Sequence, residues 1–542
     1  RIKEKRNKRG LVMGYTGAAY IVCFLLLTMV LYQLAPKKYR WVVFLLMSIL
    51  HFASYEVRNI GIVLLVTGLA WFDGLIMGII KQLQAKKPTD GLSREEKKKK
   101  KARDLLVQKI VVTLGVLSVL GTLFMSKYYT FVADNINLLM YLKGKPMPMP
   151  GIQVMTAVGL SYFVLQSVAY MVDVYWDKVD VQRNPGKILM YLIFFPTLVQ
   201  GPIALMRDMQ GTLFAGESLK LENIERGYIR IIWGAFKKIV VADRISVAVN
   251  SLYDVGTPRT GMYIAAAAIF FTIQEYMDFS GCVDIAIGSA EIFGIVLPEN
   301  FRQPFVSRNA SEFWRRWHIT LGTFFKTYIF YPVSLSKLTK KWNKFGKKKL
   351  NPYGTRLGAM AIALLPVWLC NGIWHGPKWT YIFYGIYYFI IIMIELALEP
   401  MWAKVRSMMH LDDDAKVVVF LQIAKTWIVI FVGEMLFRAD TLAEGFAMLG
   451  RLFVDFRLSS IWDGGFLEIG IGAGDYKAIV LGIILVTIVG AMKERGIDVR
   501  TKIMNSKLPV RWAVVLGLMV LVIILGQYGP GYRKIDFIYA GF

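Results

Sequence analysis

Cysteine and histidine are the scarce residues of this 542-residue chain. Cysteine occurs three times, at Cys23, Cys282 and Cys370, each alone in apolar surroundings. That spacing assembles neither a disulfide framework nor a zinc site. Histidine occurs four times, at His51, His318, His375 and His410. There is no HExxH, no CxxC and no close His pair, so no metal site is expected. GxSxG is missing, which removes the elbow of a Ser–His–Asp hydrolase. The phosphate loop GxxxxGKS/T is missing too, so nothing points to a nucleotide-driven motor. Acidic side chains are short in supply: 38 against 65 basic ones, a net charge of +27. No nucleic-acid motif accompanies that charge, and no nucleic-acid partner is expected. Lysine and arginine accumulate in the cytoplasmic loops of membrane proteins, which accounts for the excess.

Apolar sequence is abundant. Hydrophobic residues make up 56% of the chain and mean hydropathy is +0.47, while 19% of residues are charged. A chain with both must alternate between apolar spans and charged loops. A bilayer core takes about 20 apolar residues per helix. Runs of that kind lie near 11–34, 41–56, 59–80, 107–132, 152–175, 186–206, 226–254, 260–294, 355–374, 379–398, 416–437, 476–493 and 511–528. The expected fold is an all-α polytopic membrane protein with about eleven crossings plus re-entrant or interfacial helices. The opening RIKEKRNKRG precedes an apolar run too long for a signal peptide and reads as leading a first membrane helix. Residues 81–109 read as a soluble basic loop, with eleven Lys/Arg against four acids and KKKKK at 97–101. It is expected in the cytoplasm, solvated and partly disordered, or as a docking surface for an acidic partner or anionic membrane lipids. A second basic stretch, KLTKKWNKFGKKKL, follows at 337–350.

Three stretches do not read as plain spans. In YLIFFPTLVQGPIAL (191–205), Pro196 and Pro202 remove two helix donors within seven residues. Such backbone survives at membrane depth only where protein or a cavity surrounds it. In IQEYMDFSGCVDIAIG (273–288), Glu275, Asp278 and Asp284 are carboxylates in apolar sequence. Each ionised group at the bilayer centre costs on the order of 3 kcal/mol. They pair with arginines as structural glue, or they mark a cation or proton path. In LPENFRQPFVSRNASEFWRRWHITLGTFFKTYIFYP (297–332), Asn309 and Glu312 have the spacing of a reciprocal helix cap. One helix running on from there aligns Phe313, Trp317 and Thr320, with Trp314, His318 and Leu321 on an adjacent side. Arg315 and Arg316 project elsewhere, and aromatics beside arginine suit a membrane interface.

The histidines differ in setting. His410, in SMMHLDDDAK, reads as a solvated surface residue. His51, in MSILHFASY, reads as a hydrogen-bonded interhelical or interfacial residue. His375 lies in NGIWHG (371–376), at the break between two apolar runs, with Gly372 and Gly376 beside it. Glycine there permits a turn or the close approach of a ligand, and Trp374 can shield the site. Two readings stand for His375: a satisfied core residue, or an imidazole that takes a proton from a hydroxyl attacking a thioester.

Four blocks together carry a family resemblance: FFPTLVQGPI (194–203), YMDFSGCVDIAIG (276–288), the 297–332 block and NGIWHG. LAPKKYRWVVFLLMS (34–48) and FIYAGF (537–542) agree with them. The chain resembles the membrane-bound O-acyltransferases, in the bacterial branch of the alginate O-acetylase membrane subunit and the teichoic-acid D-alanyl transfer protein. The resemblance implies one membrane domain over 1–542, a ring of tilted helices around a thin partition with a tunnel. It sets the catalytic core at 191–376 and C-terminal membrane helices at 377–542. It implies an acyl thioester donor on the cytoplasmic side, acetyl-CoA or the phosphopantetheine of an acyl carrier protein, with no bound cofactor. The acceptor would be a cell-envelope polysaccharide or teichoic acid, or an extracytoplasmic partner acyltransferase. His375 would be the catalytic residue and His318 the second functional one. Trp374, Asn371, Trp317, Arg315, Arg316, Asp278, Ser280, Asp284, Pro196 and Gln200 would line the tunnel or substrate path. The chain continues for about 165 residues after His375, as the longer polysaccharide-acetylating members do, so acetyl is favoured over D-alanyl. Localisation would be the bacterial plasma membrane. A transporter of an acylated or acidic substrate is the alternative that the intramembrane carboxylates motivate, although the paired broken repeats of such proteins are missing.

Overall fold

A computed structural model describes residues 14–17, 19–86, 92–152, 156–254 and 260–528. The opening basic decapeptide and the closing FIYAGF lie outside them. Helix is the dominant structure of the described residues, with no strand among them. Among the described residues seven helices are long and apolar enough to cross a membrane: Ile60–Lys86, Arg94–Leu142, Pro352–His375, Trp379–Met408, Lys416–Arg438, Ala473–Glu494 and Leu508–Leu525. The chain, expected as one membrane domain, groups by its contacts into two compact units. Residues 1–227 with 289–298 form one, and 228–288 with 299–542 the other.

In the first unit, the helices Ile60–Lys86 and Arg94–Leu142 pack on each other and on Leu160–Tyr175. The loop expected over 81–109 is largely helix. The first helix runs through Lys86 and the next starts at Arg94, so all five lysines of 97–101 are helical. A reciprocal cap starts that helix: Glu96 N–H donates to Ser93 Oγ (3.3 Å), and Ser93 N–H donates to Glu96 Oε2 (2.8 Å). The cap supplies acceptors for two of the donors that a helix start leaves open. The charge run masked this signal in the sequence. At 49 residues the Arg94–Leu142 helix is about 70 Å long, against a bilayer core of about 30 Å.

The apolar run 186–206 is not one helix. Helix Pro185–Leu192 stops, and 193–205 run as irregular, fully buried backbone. Its polar groups are answered by side chains. Tyr15 Oη donates to Phe195 O (2.9 Å) and accepts from Val199 N–H (3.2 Å). Phe195 N–H donates to Ser48 Oγ (3.0 Å). Gln166 Nε2 and Tyr191 Oη both donate to Ala204 O, at 3.0 and 3.1 Å. This is how non-helical backbone survives away from water. His51 lies in the same unit among Tyr15, Tyr20, Phe24 and Tyr55. It is fully buried, yet neither ring nitrogen has a hydrogen-bond partner among the described residues, which corrects the hydrogen-bonded reading.

In the second unit, Pro352–His375 and Trp379–Met408 form a tight helical hairpin. A Cβ at Gly372 would overlap the Tyr381 carbonyl, and one at Gly385 would overlap the Trp368 carbonyl. Gly372 therefore serves helix-on-helix contact rather than ligand approach. A second close crossing joins 228–252 to 261–288, where a Cβ on Gly234 would overlap Gly281 O. Just beyond Gly234 the backbone widens into a π-turn at Phe236–Ala242, and Lys237 and Lys238 are both buried there. Such wide turns are rare and concentrate near functional or strained positions.

Candidate functional site

The site is built within the second unit. Asn309 starts a short helix, Ala310–Arg316, by accepting Glu312 N–H on Oδ1 (2.8 Å). The reciprocal bond falls one residue early, with Arg308 N–H donating to Glu312 Oε2 (2.9 Å). The helix does not run on as the spacing suggested. Trp317 is extended, and His318 has φ +46° and ψ +50° before a new helix begins at Ile319. A β-carbon makes that left-handed conformation unfavourable by roughly 1–2 kcal/mol, so surrounding bonds must hold it. The 300–302 segment does so. Ile319 N–H donates to Asn300 O (3.0 Å), and Arg302 N–H donates to Arg316 O (2.9 Å). Thr320 donates to Asn300 Oδ1 from its N–H (3.0 Å) and its hydroxyl (2.9 Å).

Asn300 also sets the protonation of His318. The Thr320 N–H can only donate, so the atom facing it is the Asn300 oxygen. His318 Nδ1 lies 3.2 Å from that same oxygen and must carry the proton. Nε2 therefore keeps its lone pair. It is buried and has no hydrogen-bond partner among the described residues. Burial pushes the pKa of His318 down to about 3, which keeps the ring neutral. Phe279 and Trp374 meet the ring edge-on, at 4.8 and 5.5 Å between centroids.

His375 is the last residue of the Pro352–His375 helix, which ends as Gly376 turns to φ +151°. It is 3% exposed, as is His318. Its ring meets Trp374 at 5.1 Å, Phe437 at 5.0 Å and Tyr384 at 5.7 Å. Trp374 thus touches both imidazoles, so His318 and His375, 57 positions apart in sequence, belong to one aromatic site. Asn371 lies one helical turn before His375 on the same face. It is buried, and its Nδ2 has no hydrogen-bond partner among the described residues. Tyr384 Oη donates to Glu434 Oε1 (2.8 Å) beneath the ring.

Other expected site residues have different surroundings. Trp317 packs against Phe301, Phe313 and Tyr276 as aromatic core. Asp284 binds Arg230 Nε (2.8 Å) and Lys237 Nζ (2.7 Å), and Lys237 also donates to Ser280 Oγ (2.9 Å). Asp278 pairs with Lys238 (3.3 Å), which also binds Asp243 (2.7 Å). Ser280 and Asp284 nonetheless line a narrow polar cavity with Arg230, Tyr276, Gln303 and Lys493. Arg316 binds Glu312 and, through both of its NH groups, Glu494. Arg315 is exposed. Pro196 and Gln200 lie on the irregular segment of the first unit. Gln200 is fully buried, with neither amide atom hydrogen-bonded among the described residues. His410 is exposed, as expected of a solvated residue.

The sequence reading missed Asn300, Phe279, Tyr384 and Phe437. Asn300 sits inside a quoted block, and its polarity in LPENF was the available signal. Phe437 reaches His375 from 62 positions away, and no local pattern marks it.

Residues 151–346 match the model of the membrane-bound O-acyltransferase family. A probable alginate O-acetylase of Azotobacter vinelandii is 28% identical over 442 residues, covering 81% of this chain and 78% of the relative. A peptidoglycan O-acetyltransferase of Helicobacter pylori is 28% identical over 316 residues, 54% of this chain and 56% of the relative. A teichoic acid D-alanyltransferase of Bacillus subtilis is 27% identical over 299 residues, 54% of this chain and 69% of the relative.

Proposed function

We propose that this chain, an acyltransferase of the membrane-bound O-acyltransferase family and a multi-pass bacterial membrane protein, moves acetyl groups outward. The donor is a cytoplasmic thioester, acetyl-CoA or an acyl carrier protein. The acceptor is a hydroxyl of an exported cell-envelope polysaccharide, or a partner acyltransferase outside the membrane that completes the transfer. The observation that carries the reading is the pair of buried imidazoles meeting one Trp374 ring. The chain-long similarity to alginate O-acetylases favours acetyl, whereas the D-alanyl-transferring relative aligns over about half of the chain. Two of the three carboxylates that motivate the transport reading, Asp278 and Asp284, are ion-paired, which favours acyl transfer over it.

The chemistry follows from the side chains. His375 takes the proton as the acceptor oxygen attacks the thioester carbonyl carbon. The carbonyl π electrons move to oxygen, where Asn371 Nδ2–H stabilises the charge. The tetrahedral intermediate collapses, the C–S bond breaks, and the thiolate takes the proton back from the imidazolium. His318 presents its Nε2 lone pair to an N–H of the donor arm and fixes its position. The surrounding rings exclude water, which would otherwise hydrolyse the thioester.

The test uses the purified full chain in lipid nanodiscs, with an acetyl thioester and an oligosaccharide acceptor. His375→Ala should lower transfer by about 100-fold or more while still giving a folded, membrane-inserted protein. Full transfer by that variant sinks the assignment.

A further inference from the structure

Glu275 is the third carboxylate of the 273–288 stretch, and it is answered differently from Asp278 and Asp284. Its carboxyl is hydrogen-bonded to that of Glu434, on the Lys416–Arg438 helix. Both residues are 1% exposed. The groups that face Glu434 are Glu275, Tyr384 and Tyr388, and none of them is a cation. An ionised carboxylate only accepts hydrogen bonds, whereas a protonated one also donates. A bond between two acids therefore holds a proton. Like charges this close and away from water do not both ionise. Tyr384 Oη donates to Glu434 Oε1 (2.8 Å), a bond that favours an ionised acceptor. One proton and one negative charge satisfy both bonds.

The pair lies behind the rings on which His375 rests. Tyr384 meets the His375 ring at 5.7 Å with the planes at 83°. Phe437 lies one helical turn on from Glu434 and meets His375 at 5.0 Å and Tyr384 at 4.8 Å. A single side chain, Tyr384, therefore links the acids to the imidazole. Among rings and away from water, a charge is felt more strongly than in solvent. The other titratable groups on the elements around the pair are the phenols Tyr253, Tyr381, Tyr387 and Tyr388, and phenols are neutral near pH 7. Arg438 is engaged by the Tyr253 ring (5.1 Å) and by Asn250 Oδ1 (3.3 Å), and Asp440 lies 4.0 Å from Lys378.

We propose that Glu275 and Glu434 hold one proton between them, and that their single negative charge, relayed by Tyr384, stabilises the imidazolium that His375 becomes when it takes the acceptor's proton. This rests on the acyl-transfer reading above. During transfer the proton moves from the acceptor oxygen to His375 and from there to the leaving thiolate. The acids neither give nor take one, so they are positioning residues and not catalytic ones.

Glu275→Gln and Glu434→Gln each replace a protonated carboxyl by an amide of the same shape, which donates to the carboxylate that remains. Each single variant keeps one negative charge, and the double variant keeps none. The full chain in lipid nanodiscs is given acetyl-CoA and an oligosaccharide acceptor. Each single variant should lose at most about twofold in kcat, and the double variant about tenfold or more, a strongly non-additive pair. The acid limb of the double variant's pH–rate profile should lie about one pH unit lower, because an imidazolium without the charge gives up its proton more readily. Single losses that add up to the double loss mean two ionised acids and overturn the proposal. A double variant with wild-type kcat and an unmoved limb overturns it as well. Infrared spectra read the proton without turnover. The wild type at neutral pH should show a carboxylic-acid C=O component that is missing from each single variant. Its absence from the wild type, or its persistence in both single variants, overturns the shared proton. The single variants and the spectra decide this even where the double variant does not fold. A wild type that transfers no acetyl sinks the acyl-transfer reading, and the infrared component alone then decides the shared proton.

Discussion

Two buried polar clusters of the second unit are organised in opposite ways. Around Asp284 every charge is answered: Arg230 and Lys237 bind it, Glu299 takes the other face of Arg230, and Lys237 also reaches Ser280. Lys238 is divided between Asp243 and Asp278. Around the histidines the surroundings are rings, and His318 Nε2 and Asn371 Nδ2 are buried without hydrogen bonds among the described residues. Buried polar atoms in folded proteins are nearly all paired. A cluster that obeys this rule holds helices together. We read a cluster that breaks it beside the two histidines as keeping places for a substrate's donors and acceptors.

The largest effect should come from breaking the answered cluster. Asp284→Ala leaves Lys237 buried without its carboxylate, a loss on the order of 3–5 kcal/mol. The variant should give little monodisperse protein by fluorescence-detected size exclusion. Asp284→Leu with Lys237→Met removes both charges and should restore yield and acyl transfer together. Restored yield without transfer would show that the network takes part in the chemistry, and the contrast between the clusters would be lost.

A smaller effect is expected where the rings are held. Asn300→Ala frees His318 Nδ1 and leaves the tautomer unset, so transfer should fall by roughly 10–100-fold with a modest change in melting temperature. Asn300→Asp keeps an acceptor but sets a carboxylate beside the ring, which favours the protonated imidazole and raises its pKa. The neutral ring is the useful form, and in the wild type burial keeps it neutral down to about pH 3. With the raised pKa the neutral form is reached only at higher pH, so the acid limb of the pH–rate profile should move upward. An unmoved limb excludes His318 from the rate-determining protonation state.

The legible parts of the molecule were those with a short-range physical signature. Apolar length announced the seven long membrane helices but also six further runs, 186–206 among them, that are not such helices among the described residues, and His375 stood out because a polar ring between two apolar runs needs a reason. The prolines of 191–205 announced irregular backbone, and the structure holds it with Tyr15 and Ser48. Misreadings arose where two local signals competed or where the partner was distant. The lysine run at 97–101 outweighed the Ser93–Glu96 cap, although a capped helix tolerates solvated charge. No glycine marks the break at His318, because Asn300 imposes it from 18 positions away. The carboxylates were expected to meet arginines, yet Lys237 and Lys238, hidden in an apolar-looking run, take most of the load. Gly372 was credited with ligand approach because it neighbours His375, whereas its bare face receives the Tyr381 carbonyl.

The finest test sets two adjacent residues against each other. Arg315 and Arg316 read alike in sequence, yet Arg316 is engaged by Glu312 and Glu494 while Arg315 has no carboxylate among the described residues. Those Arg316 bonds are partly solvated, with the Glu494 side chain 39% exposed. Pairs of that exposure contribute about 1 kcal/mol or less. Arg316→Gln should therefore lower the melting temperature slightly and leave the donor KM where it was. Arg315→Gln should do the reverse, raising the KM for the acetyl thioester donor with stability unchanged. If the two variants raise the KM alike, an unanswered charge is no guide to function at this pair, and the contrast drawn between the clusters fails at its most local point.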